Sequence, residues 1–285
     1  MTNFAKYLNY LIDYFDKHRK KIIFLSNLIV SASLISIFIQ FNNKIEINFQ
    51  TLINKDTYQI YFYGFTSYIF LFLSWDIFSK KEKIENNIVR NFILFSYSNV
   101  AKYIPGSIGL YVYRLASYNV DKISVKKITK GVLLEQFLPV GIFLIIYSFY
   151  NINYFEEIGL VSFLLVMYFI ASIILLISPL KNYFLYFSTF YMNSVFQIYM
   201  IYLFFDFFCG IDAVANSFNY LLSTYISSFL IGSPAGIGFR EGISLLLITN
   251  ELCSVINAII YLRIIYIILD LTLFIIGFTL KRFSK

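Results

Sequence analysis

Apolar and polar positions along this chain fall into long blocks. Mostly apolar runs cover residues 22–41, 58–78, 91–118, 131–150, 158–178, 184–208, 216–249 and 255–280, with short charged segments between them. Several approach the roughly 20 residues a helix needs to cross the hydrocarbon layer of a bilayer. Two runs break the pattern. The 91–118 run carries Pro105-Gly106 near its middle, and the 216–249 run contains SPAGIGFRE at 233–241, which puts a proline, two glycines, an arginine and a glutamate inside apolar sequence.

The positions of lysine and arginine orient these runs, because such residues collect in cytoplasmic loops. Lys6, Lys17, Arg19, Lys20 and Lys21 precede the first run, and Lys80, Lys81, Lys83 and Arg90 follow the second. Lys122, Lys126, Lys127 and Lys130 follow the third, Lys181 the fifth, and Lys281, Arg282 and Lys285 close the chain. All five segments are expected inside, with Lys44 and Lys55 outside. The 91–118 run has a basic segment on both sides, so it begins and ends on the cytoplasmic face as a re-entrant hairpin. Irregular backbone at membrane depth is tolerated where it is buried in protein or lines a cavity. Carrying the parity forward places 209–217 and 250–254 outside, so the SPAGIGFRE stretch dips in from the exterior and returns.

The expected fold is an all-α polytopic membrane protein with about six transmembrane helices and two re-entrant helical hairpins. It forms one integral membrane domain over 1–285 in the cell membrane, with both termini cytoplasmic. Each half, 22–150 and 158–280, reads span, span, hairpin, span, and the halves begin on opposite faces. That is an inverted-topology repeat, the build of many secondary transporters. The hairpin centres share a motif: Pro105, Ile108 and Gly109 correspond to Pro234, Ile237 and Gly238. Glu135 follows Pro105 by 30 residues, and Arg263 follows Pro234 by 29.

Composition agrees with a membrane class. Hydrophobic residues make up 59% of the chain and charged residues 14%, with a mean hydropathy of +0.71; ordinary soluble domains carry about 25% charged residues. The net charge of +7 reflects topology, so no nucleic-acid partner is expected. No cleavable leader is evident, and the first apolar run is expected to remain as an anchor. His18 lies in the basic KHRKK segment, and Cys209 and Cys253 are expected to stand alone, without metal or redox spacing. No metal and no cofactor are expected.

Candidate chemistry lies in the charges that the loops do not absorb: Lys102, Arg114, Glu135, Arg240, Glu241, Arg263 and Asp270. A charge at mid-bilayer costs about 2.5–3.5 kcal/mol on insertion scales, so such residues face a bundle interior and often mark a pathway. Paired charges that only fix packing are the alternative. Glu135 has Arg114 or Lys102 as its partner, and Arg263 and Asp270, two turns apart on one helix face, are placed to share one. Arg240 and Glu241 are adjacent and point roughly 100° apart, so they do not satisfy each other. They follow Gly236 and Gly238 at the start of a half-helix, where free N–H groups and the dipole favour an anion. Arg240 suits a phosphate, and Glu241 alternatively complements the dipole. Tyr103, Tyr111, Tyr113 and Tyr118 are placed to line a cavity, but among 25 tyrosines the interfacial belt is the plainer reading. Asp76 and Asp206 are expected at span ends.

NVAKYIPGSIGLYVYRLA at 99–116 and GSPAGIGFREGISLLL at 232–247 resemble the paired hairpin segments of the flippase-like integral membrane proteins related to the membrane region of lysylphosphatidylglycerol synthase. LLEQF at 133–137 and YLRI at 261–264 are similar to the helices that follow those segments. The resemblance runs through the whole chain in the right order and implies lipid translocation between leaflets, not an enzyme. It implies substrate contacts at Lys102, Arg114, Glu135, Arg240, Glu241 and Arg263, and helix breaks at Pro105, Gly106, Gly109, Pro234, Gly236 and Gly238. Ala235 and Gln136 depart from the family pattern. No soluble aminoacyl-transferase domain is expected after residue 285, and so no lipid-modifying activity. The substrate implied is an anionic phospholipid or a polyprenyl-phosphate-linked glycan, with the lipid bilayer and envelope-glycan synthesis proteins as partners; a homo-oligomer is compatible with this. No nucleotide-binding loop of the G-x-x-x-x-G-K-[ST] type occurs, so movement is downhill or ion-coupled. The competing readings are a membrane-embedded transferase on lipid-linked substrates and a non-transporting scaffold. The transferase lacks a D-x-D motif or a large exterior loop.

Overall fold

The computed structural model describes residues 54, 57–103, 110, 113–114, 117–118, 125–150, 164, 166–168, 170, 173, 183–210, 213–229, 239–248 and 255–283. These residues are almost entirely helical and contain no strand. The helices are α1 (Thr57–Lys81), α2 (Ile88–Ala101), α3 (Val125–Tyr150), α4 (Phe184–Cys209), α5 (Ala213–Phe229), α6 (Phe239–Leu247) and α7 (Val255–Phe283). Among the described residues, three stretches, Lys126–Ser148 in α3, Phe184–Cys209 (α4) and Asn257–Phe283 in α7, are long and apolar enough to cross a membrane. The protein therefore has the character of a membrane protein. The first apolar run and the breaking residues Pro105, Gly106, Gly109, Pro234, Gly236 and Gly238 lie outside the described residues.

Local sequence explains the ends of these helices. Lys83 takes a left-handed φ of 55°, which lets the Ile84 N–H reach the Ser79 carbonyl and closes α1. Asn87 caps α2, its side chain accepting from the Val89 and Arg90 N–H groups. Gly210, with φ of 68°, ends α4. Cys209, the last residue of α4, is disulfide-bonded, so it does not stand alone as expected; the sequence holds one other cysteine, Cys253.

Both anomalous runs double back. Tyr118 donates to Asn91 at 2.8 Å and Arg114 Nε donates to Ser98 at 2.9 Å, so the helical residues 113–114 and 117–118 return antiparallel along α2. In the second half Asn219 donates to the Leu247 carbonyl at 3.0 Å, and Ser223 shares a hydrogen bond with Ser244. α6 thus returns along α5 in the same way. Around these pairs the bundle closes: α1 lies along α4, and α7 runs against α2. The contact of Gly277 with Ser96 lets α2 and α7 approach closely.

Aromatic residues fill the core. Phe143 of α3 contacts Phe218 and Tyr225 of α5, while Trp75 and Phe78 of α1 lie over Gly131 of α3. A Cβ at Gly131 would overlap the Phe78 ring and sit 2.9 Å from Trp75, and rigid rings cannot step aside. Gly131→Ala is expected to destabilise the protein by about 1–3 kcal/mol despite alanine's better helix propensity. Thermal unfolding of the purified protein checks it, and an unchanged midpoint would show that α1 and α3 separate freely.

One end of the bundle is strongly basic. Lys130 pairs with Glu82 at 2.8 Å, Lys127 donates to the Glu82 carbonyl, and Lys81 lies 3.1 Å from the centre of the Tyr183 ring. The Lys130 hydrogen bond holds the Glu82 carboxyl below its ordinary range. Asp76, expected at an interface, is buried instead, between Lys80 at 2.6 Å and the Asn91 amide at 2.8 Å.

Candidate functional site

Before its last turn, which carries Lys281 and Arg282, helix α7 is apolar except for Arg263, Asp270 and a few hydroxyl and amide side chains. Seven residues separate Arg263 from Asp270, two helical turns, so both look out from one face. Each meets a side chain beside one of the two anomalous motifs. Asp270, fully buried, accepts from Lys102 at 2.8 Å and from the Tyr103 hydroxyl at 2.6 Å. Lys102 also donates to Tyr68 of α1 at 3.3 Å. Arg263 pairs through Nε with Glu241 of α6 at 2.9 Å.

These two pairs form one cluster. Tyr103 lies within electrostatic reach of both Arg263 and Arg240. Arg240 neighbours Glu241, Tyr220 of α5 and Tyr266 of α7, and Tyr266 in turn accepts from Gln197 of α4 at 3.2 Å. Lys102 and Tyr103 immediately precede residues 104–109, and Arg240 and Glu241 follow residues 230–238 closely. The structure therefore brings the flanks of the two motifs together on α7. The side chains of Lys102, Glu241 and Arg263 keep 27%, 13% and 16% exposure, and Tyr103 and Arg240 are also only partly buried.

Arg114 and Glu135 do not join this cluster. They form a two-pronged ion pair of their own, with Arg114 fully enclosed and Glu135 nearly so. The Arg114 guanidinium lies 4.2 Å from the centre of the Trp75 ring and 5.3 Å from that of Phe95, with Ser98 on Nε. The pair therefore offers almost no surface to a headgroup. Of its two sequence-compatible partners, Glu135 takes Arg114. Arg263 and Asp270 likewise take separate partners, not a shared one.

The two halves nevertheless use one scheme. In each, the returning leg of the doubled-back run is ion-paired with the helix that follows it. Arg114 meets Glu135 in the first half, and Glu241 meets Arg263 in the second, with the signs exchanged.

Of the residues weighed in the sequence, the structure places Asp270 and Tyr103 in the site as well, and it adds Tyr68, Tyr220, Tyr266 and Gln197. Asp270 carries a signal in its two-turn spacing from Arg263; a tyrosine carries none in so aromatic a chain. Tyr113 stacks on Tyr97, and Tyr118 accepts from Trp75 while donating to Asn91. These two therefore serve packing. Tyr111 lies outside the described residues. Set against models of protein families, curated proteins and solved structures, the chain matches none of them.

Proposed function

We propose that the protein is a flippase-like lipid transporter that moves an anionic phospholipid or a polyprenyl-phosphate-linked glycolipid between leaflets. The observation that carries this reading is the cluster on α7, where charges flanking both motifs converge inside a largely apolar bundle. Intramembrane ionisable groups are rare and often mark a pathway. In this reading 91–118 and 216–249 are re-entrant hairpins entering from opposite faces, within six spans and an inverted repeat. Their doubling back and the exchanged ion pairs support it, alongside the motif resemblance. Lys102, Arg240 and Arg263 contact the headgroup, Glu241 and Asp270 hold those cations in place, and the acyl chains stay in lipid. Arg114 and Glu135 are assigned to the fold. Envelope-glycan synthesis proteins are the proposed partners.

Mass spectrometry of lipids retained by the purified protein tests this. The wild type is expected to be enriched in an anionic or polyprenyl-linked lipid that Arg240→Ala and Glu241→Ala lose while still expressing and folding. Bulk lipid alone in all three proteins sinks the transporter reading and favours a scaffold.

A further inference from the structure

The charge of the cluster narrows the ligand. Among the described residues, Lys102, Arg240 and Arg263 stand against Glu241 and Asp270; three cations and two carboxylates leave a formal net charge of +1. The adjoining segments 104–109 and 230–238 contain no ionisable side chain, so they do not alter that count. A low-dielectric site is most favourable when its net charge is cancelled, since uncompensated charge is costly there. One negative charge cancels this one.

Hydrogen-bonding capacity points the same way. The Tyr220 hydroxyl, fully buried, can accept from Arg240, but its own proton completes no hydrogen bond among the described residues. Nor does the amide nitrogen of Asn99, which is 3% exposed and lies one turn before Lys102 and Tyr103 on the same face of α2. Buried polar groups are rarely left unpaired. Both are donors, and they flank a set of cations that are donors as well. Such a set matches acceptor oxygens around a single charge.

From this we infer that the site takes a singly charged phosphodiester headgroup and discriminates against phosphomonoesters and diphosphates. The inference rests on the transporter reading and sharpens its substrate class. A phosphodiester carries one negative charge, shared by two non-bridging oxygens. A phosphomonoester carries about −1.5 to −2 at pH 7, and a diphosphate still more. Phosphatidylglycerol and polyprenyl-phosphoryl sugars both present the phosphodiester, so the headgroup chemistry is common to the two sources.

Native mass spectrometry of the full chain in detergent, with lipids offered in competition, tests this. The probes are phosphatidylglycerol, a polyprenyl-phosphoryl sugar, phosphatidic acid, a polyprenyl diphosphate and diacylglycerol. At least one of the two phosphodiesters is expected to be retained over its more highly charged analogue by about tenfold, a modest share of what an uncompensated charge costs in a bilayer. Which of the two it is names the source. Glu241→Gln keeps an acceptor for Arg263 and raises the net charge by one, so its preference is expected to move toward phosphatidic acid or the diphosphate. Asp270→Asn makes the same change from the other pair. Wild-type preference for the higher charge, lost in Arg240→Ala, overturns the single-charge inference and leaves the anionic-lipid reading standing. Retention of no charged lipid above diacylglycerol overturns both. A folded Glu241→Gln protein with the wild-type ranking also overturns the charge argument, and the wild-type ranking decides the matter if neither variant folds.

Discussion

Glu135→Ala is expected to cost about 3–5 kcal/mol of stability, the usual result of stranding one member of a buried ion pair. Arg114 would keep its contacts with Trp75, Phe95 and Ser98 but lose both carboxylate oxygens. It cannot discharge itself by losing its proton. No exposed route lets the guanidinium reach water, since its side chain has no accessible surface. The thermal midpoint of the purified variant measures the loss. Removing both charges by Arg114→Met with Glu135→Leu is expected to recover most of it, because apolar replacement of a buried pair is often neutral or stabilising. The double variant should also keep lipid retention. If it folds yet retains no lipid, the pair belongs to the transport path and the division between structural and functional charges drawn here is wrong.

That division was only partly legible in the sequence. The membrane class and the helical fold follow from block hydropathy, because few folds can hide so much apolar surface. Basic segments on both sides of 91–118 predict that the run returns to the face where it begins. Asn91–Tyr118 and Ser98–Arg114 give that return its geometry. The choice of ion-pair partners was not legible. Lys102 and Asp270 are 168 residues apart, and their meeting depends on how α2 and α7 rotate about their own axes. Helices that are apolar nearly all round carry no stripe from which to read that rotation. Nor does a charged residue announce whether a guanidinium will end between aromatic rings, like Arg114, or beside a partly exposed cluster, like Arg263. Tyr103 shows the same limit: the hydroxyl that completes Asp270 is one among many tyrosines until α7 is in place.

Asp270→Ala is expected to disturb fold and selectivity together, which distinguishes it from Glu135→Ala. The carboxylate takes hydrogen bonds from Lys102 and Tyr103, and those two residues close the end of α2 next to the first motif. Its loss should fall toward the low end of the ~3–5 kcal/mol seen for broken buried pairs, because Lys102 keeps 27% exposure and can turn toward water. The net charge of the cluster would rise by one, so retained lipid should shift toward more highly charged headgroups. Lys102→Met with Asp270→Leu removes one charge of each sign and returns the cluster to its original balance. Stability should then recover, and the ranking of headgroups should return to that of the wild type. Total retention should stay low, because the Lys102 donor is gone. Thermal unfolding and lipid competition on the same three proteins read both effects. Full wild-type retention in the double variant would mean that Lys102 never touches the headgroup. In that case the Lys102–Asp270 pair is a clamp between α2 and α7, and Arg240 with Arg263 must hold the anion by themselves.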